Sequence, residues 1–203
     1  MKRYAYFLLM VVLFTLAACG GAKKAAKNPD LASVPGIQSN EPYDASLVGS
    51  AVNKPPAPAT TGCTASDADA AAMSAEVIRL VNVERAKAGL GALTSQAQLT
   101  QAAQGHALDE GCNFFMSHDG SDGSTALDRI VRAGYVYSWW GENVAAGYST
   151  AQDVVTAWMD SPSHRDNILS PNFTEIGIGY VYNPNDTKNS WYSYWAMSLG
   201  APQ

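Results

Sequence analysis

The chain has 203 residues, with 13 lysines and arginines against 18 aspartates and glutamates, a net charge of −5 when the histidines are neutral. Residues 62–203 carry the excess, 7 basic against 15 acidic side chains, and show no basic stripe; this argues against nucleic acid as a partner. The same residues hold all five tryptophans and number about 140, enough for one hydrophobic core.

Lys2 and Arg3 precede an apolar run from Tyr4 to Ala18 broken only by Thr15. A membrane-spanning helix needs about twenty apolar residues, so this shorter run predicts a signal-peptide core over residues 1–18. It ends at Leu16-Ala17-Ala18-Cys19, which resembles the lipobox of bacterial lipoproteins. The resemblance implies that Cys19 is lipidated and becomes the mature N-terminus, placing the protein outside the cytoplasm on a bacterial cell membrane or outer membrane. An ordinary secretory signal is the alternative.

Residues 19–61 are dominated by Pro, Ala, Ser, Gly, Asn and Lys, with Lys54-Pro55-Pro56-Ala57-Pro58 stiff and extended. They predict a lipidated, disordered tether, since they bury too little apolar surface to offset their ordering entropy. Residues 62–203 then form the folded domain. With Cys19 lipidated, Cys63 and Cys112 remain as an even pair outside the cytoplasm, which predicts a disulfide. Closing that loop is worth about 4 kcal/mol on the chain-entropy model. Two buried free thiols are the alternative.

Met73, Val77, Leu80, Val81 and Ala88 recur at helical spacing from Asp67 to a stop at Gly89. Leu99, Ala102, Ala103, His106 and Ala107 repeat the pattern after Ser95. Ser124 is placed to cap a third helix, with Leu127, Ile130 and Val131 inward and Gly134 as terminator. Ser149-Thr150-Ala151-Gln152 reads as a capping box ahead of the stripe Ala151, Val154, Val155, Trp158 and Met159. Glu142–Ala146 predicts a strand. Ile176, Ile178, Tyr180 and Tyr182 alternate along another, Trp191, Trp195, Met197 and Leu199 along a third, with a hairpin loop over Asn183–Asn189. Helices flanking an antiparallel sheet give an α+β fold.

Three motifs share one set of polar residues: Phe115-Met116-Ser117-His118, Gly141-Glu142-Asn143, and Trp158-Met159-Asp160-Ser161-Pro162-Ser163-His164-Arg165. Imidazoles and a carboxylate are the usual components of a zinc or other transition-metal site, so His118, Glu142 and His164 are candidate metal ligands, with a divalent metal as a possible cofactor. They are also the candidate catalytic residues. A polar cluster that only fixes loops is the bland alternative. His164 falls in the first turn of a helix opened by Ser161 and Pro162, where the helix dipole disfavours imidazolium.

In their order along the chain, from about Glu76 to Leu199, these motifs resemble the CAP superfamily of cysteine-rich secretory, venom-allergen and plant pathogenesis-related proteins and their bacterial relatives. The resemblance implies a three-layer α-β-α sandwich. It implies that His118 corresponds to the first cavity histidine and Glu142 to a cavity glutamate, and Cys112 stands where many relatives carry a cysteine. It also exposes a departure: the second glutamate of animal and plant members is Ser161 here, which leaves three groups rather than four.

His106 lies on the apolar stripe of its helix with Glu110 at i+4, the pattern of a histidine satisfied in the core. Asp119–Gly123 lacks calcium-loop spacing and reads as a turn. Gly147-Tyr148-Ser149-Thr150-Ala151 misses the G-x-S-x-G elbow at its last position, and no H-E-x-x-H occurs. No complete catalytic signature is present. Tyr135, Tyr137, Trp139 and Trp140 either line an apolar cleft or belong to the core. The chain therefore reads as an envelope-anchored binding or interaction module taking an apolar small molecule, a lipid or an envelope protein. A metal-dependent hydrolase of peptide or cell-wall substrates and a purely structural envelope domain are the alternatives.

Overall fold

A computed structural model describes residues 36–43 and 67–203. Cys19, Cys63, the expected signal segment and most of the expected tether lie outside the described residues. In chain order the described elements are β1 (Ile37–Ser39), α1 (Asp67–Lys87), β2 (Thr94–Ser95), α2 (Ala97–Asn113), α3 (Ala126–Arg132), β3 (Tyr137–Ala146), α4 (Ala151–Asp160), α5 (Pro162–Ile168), β4 (Glu175–Tyr182) and β5 (Ser193–Pro202). The sheet runs β1-β3-β5-β4-β2, antiparallel throughout except for the short β2–β4 pairing. The expected α+β sandwich is the observed fold.

Alternation along the central strands builds the layers. Ile176, Ile178 and Tyr180 of β4 and Trp195, Met197 and Leu199 of β5 face Val77, Leu80 and Val81 of α1 and Val154, Val155 and Trp158 of α4. On the opposite face Val181, Ala196 and Val144 meet Ala103 and Ala107 of α2. Beside them Leu99 and Ala102 of α2 pack with Ile130 and Val131 of α3 and with Tyr135 and Tyr137.

Two glycines let α2 lie on the sheet. A Cβ at Gly177 would sit 2.1 Å from the Leu99 carbonyl carbon and the Thr100 nitrogen, and one at Gly179 2.3 Å from the Ala103 oxygen. These neighbours are backbone and cannot swing aside. Gly177→Ala is therefore expected to cost about 3 kcal/mol or more in urea unfolding, and a cost under 1 kcal/mol would mean that α2 does not seat as described.

Sequence expectation and structure part at several local points. The cap of α3 is Thr125, in a capping box with Asp128, rather than Ser124. The cap of α4 is Thr150, accepting from Asp153, rather than Ser149. Trp191 precedes β5 and packs against Tyr194 at a 6.0 Å ring separation instead of joining the strand. A register shift between Tyr137 and Trp139 breaks the alternation of β3, so Tyr137 faces α3 while Trp139 packs in the α1–α4 layer. Finally, residues 36–43 fall within the stretch expected to be a disordered tether, yet Ile37–Ser39 pair with β3 as an edge strand.

Arg85 has no counterpart in the sequence reading. Its guanidinium, 2% exposed, donates from Nε to the Gly91 oxygen and from Nη1 to Ile168 and Ser170 oxygens, each at 2.8 Å, and from Nη2 to the Phe173 oxygen at 3.2 Å. One side chain thus ties the end of α1 to the loop between α5 and β4.

Candidate functional site

Glu142 stands in the middle of β3 and is 1% exposed. Alternation sends its side chain towards α3 and that of Asn143 towards α5. His118 Nδ1 pairs with Glu142 Oε1 at 2.8 Å, and Arg129 Nη2 donates to both carboxylate oxygens at 3.0 and 2.8 Å. Arg129 also donates to the His118 and Ser124 carbonyl oxygens. Burial by itself would raise the Glu142 carboxyl; the Arg129 charge beside it, with the His118 hydrogen bond, outweighs burial and holds it down at about 2. The centre of the site is an ionised carboxylate neutralised by a guanidinium.

The position of His118 is set by the helix before it. Ser117 N donates to Glu110 Oε1 at 3.1 Å, and the Ser117 oxygen accepts from His106 Nε2 at 2.8 Å. His106 and Glu110, one turn apart on α2 and both fully buried, therefore hold both backbone groups of the residue that precedes His118. Burial lowers His106 to about 4, so its ring is neutral and Nε2 carries the proton. Burial raises the Glu110 carboxyl well above the usual range. The expectation of a core histidine holds, and its role is positional. Downstream, Asp109 accepts from Ser121 N at 2.7 Å and Gly123 N donates to the Gly120 oxygen, confirming the 119–123 segment as a turn.

His164 lies in the first turn of α5, fully buried. Ser161, expected as a helix cap, makes no side-chain cap bond; its Oγ lies 2.8 Å from His164 Nδ1 instead. Asn143 Nδ2 donates to the His164 oxygen at 3.1 Å, and Asn167 Nδ2 lies 2.7 Å from Asn143 Oδ1 and 3.1 Å from the Glu142 oxygen. The backbone of α5 is thereby fastened to the Gly-Glu-Asn segment.

The proposed metal ligands do not fit a metal in this arrangement. His118 and Glu142 come together, but both Glu142 oxygens accept from a guanidinium whose positive charge opposes a divalent cation. Among the described residues no three His, Cys, Asp or Glu side chains are grouped to hold a metal ion. Held at about 2 beside Arg129, the Glu142 carboxylate is a weak proton acceptor.

The aromatic run before the motif divides. Tyr135 and Tyr137 are core, 4% and 1% exposed, while Trp139 and Trp140 are partly exposed. Tyr135 Oη donates to Glu175. The residues missed by sequence reasoning are Arg129 and Asn167, and Asn143 stands there in its motif without a role of its own. Arg129 lies within α3 between Asp128 and Ile130, and its role follows from its burial against Glu142.

A family model described as CAP, the cysteine-rich secretory protein family, matches residues 78–197. The chain belongs to the CAP family. This CAP domain is 37% identical over 131 residues to YkwD of Bacillus subtilis (strain 168), covering 64% of the chain and 51% of that protein. It is 30% identical over 104 residues to the membrane protein YlbC of the same organism, covering 51% of the chain and 30% of YlbC. The chain thus spans about half or less of the length of these relatives. Among solved structures it resembles an SCP-domain extracellular protein of Bacillus anthracis str. Ames, at 27% identity and a TM-score of 0.58, over 64% of the chain and 41% of that protein. An outer surface protein of Borrelia burgdorferi shares the fold at 24% identity and a TM-score of 0.56, over 63% of the chain and 90% of that protein.

Proposed function

We propose that this CAP domain is an extracytoplasmic binding module, held to a bacterial envelope through lipidated Cys19 and stapled by a Cys63–Cys112 disulfide. The observation that carries the reading is the Arg129–Glu142–His118 cluster. It places neutralised, hydrogen-bonded polar groups on the same face of β3 as the partly exposed Trp140, an arrangement suited to recognition rather than to activating water. The extracellular relative from Bacillus anthracis supports the location. The acidic domain leaves nucleic acid outside the range of partners.

The test is retention of a soluble chain, residues 20–203, on isolated bacterial envelope. Saturable retention that weakens in His118→Ala, with no soluble fragment released from the envelope, is the expected result. Release of fragments that stops in Glu142→Gln would replace the module with a hydrolase.

A further inference from the structure

We propose that the outer edge of β3, over Trp140 to Glu142, is a binding groove for an extended peptide, and that Gly36–Ser39 is its resident occupant. The inference rests on the reading of the domain as a binding module and names the class of ligand. The edge is prepared along its length. Val144 O is taken by the Trp158 indole at 3.2 Å and Glu142 O by Asn167 at 3.1 Å, which limits strand addition to the stretch Trp140–Glu142. There β1 adds in antiparallel register, Ile37 opposite Glu142, Gln38 opposite Gly141 and Ser39 opposite Trp140. This is recognition by strand addition, in which the backbone supplies affinity and side-chain pockets supply selectivity.

The pocket is equally specific. Gly36 N donates to Ser163 Oγ at 3.1 Å, and Asn167 Nδ2 donates to the Ile37 oxygen at 3.0 Å. A Cβ on Gly36 would lie 2.6 Å from Asn143 Oδ1, 2.8 Å from Asn167 Nδ2 and 3.0 Å from the Ser163 oxygen, so a larger residue at this subsite must displace the hydrogen-bonded Asn143–Asn167 pair. On the receiving strand, a Cβ on Gly141 would meet the Ile37 oxygen at 3.1 Å and Gln38 Cβ at 3.3 Å. Gly141, Asn143, Ser163 and Asn167, left over by the chemistry of the acidic site, all find a use in reading this segment. A three-residue strand with Gln38 exposed is held weakly for its length and gains from being part of the same chain. A glycine-containing extended peptide in trans meets the same groove once the resident strand is displaced.

The experiment uses the soluble chain of residues 20–203 and a fluorescein-labelled peptide with the sequence of residues 33–43, read by anisotropy. Gly36→Val in the chain evicts the resident strand. The labelled peptide is expected to bind that variant at least tenfold more tightly than the unaltered chain, and a labelled peptide carrying Gly36→Val is expected to bind neither. Equal binding of the two peptides to the variant, or binding of neither, overturns the proposal. Hydrogen exchange on the unaltered chain gives an independent reading. Protection at residues 37–39 that falls when unlabelled peptide is added in excess supports the groove, and no protection at those residues overturns it. Envelope retention without peptide binding rejects the groove alone, whereas loss of both rejects the module.

Discussion

Glu142→Gln and Glu110→Gln are expected to change stability in opposite directions, although both remove a buried carboxyl. Glu142 is ionised in the fold, at about 2 against an ordinary 4.5. Its neutralisation leaves the Arg129 guanidinium, 8% exposed, without a counter-charge. The shift corresponds to about 3 kcal/mol, which agrees with the cost of breaking a buried pair from one side. A depressed carboxyl contributes stability that is complete above 4.5 and is lost as the pH falls towards 2, so the deficit of Glu142→Gln should shrink over that window. Glu110 is raised by burial. Its folded form keeps a proton that the unfolded chain releases, so it costs stability at pH values above 4.5 and nothing below. Glu110→Gln removes that cost while keeping an oxygen for Ser117 N. A gain at pH 7 that disappears in acid is the expected result in urea unfolding. A loss at pH 7 equal to that of Glu142→Gln would show that Glu110 is also held as an anion.

The second large effect is expected at Arg85. Arg85→Met withdraws the donor from four backbone oxygens in two separate segments at once. Each buried carbonyl left unsatisfied costs on the order of 1 kcal/mol or more, for a total of about 4 kcal/mol. The planar fork is what reaches all four, so Arg85→Lys, with a single tetrahedral ammonium, should recover less than half of the loss. Full recovery by lysine would mean that charge rather than geometry holds these loops.

Much of this architecture is legible along the chain because its elements are strongly periodic. The apolar stripes of α1, α2 and α4 and the alternation of β4 and β5 each state a face. Their combination allows few arrangements other than helices on both sides of an antiparallel sheet. Caps are less legible, since neighbouring Ser and Thr at 124–125 and 149–150 compete for one position and the backbone geometry decides between them. The bulge near Ser138 is invisible to alternation and reverses the face of Trp139. The β1 strand lacks any signal of its own: three residues in a tether-like context pair only because β3 offers an edge with a glycine-sized gap beside it.

At the site, the spacing of the motifs correctly joins His118 to Glu142. It is silent on Arg129, whose arrival from a different helix changes the chemistry from a ligand set to an ion pair. Ser161 in place of a second glutamate belongs to the same change, because its hydroxyl accommodates His164 without adding charge.

Zinc titration by calorimetry of the soluble chain of residues 20–203, prepared without a histidine tag or chelator, tests this account most directly. A carboxylate saturated by Arg129 predicts no stoichiometric heat at micromolar zinc, with His118→Ala and Glu142→Gln indistinguishable from the unaltered chain. One equivalent of zinc, bound at micromolar concentration and lost in both variants, would show that Glu142 leaves Arg129 for a metal and would contradict it.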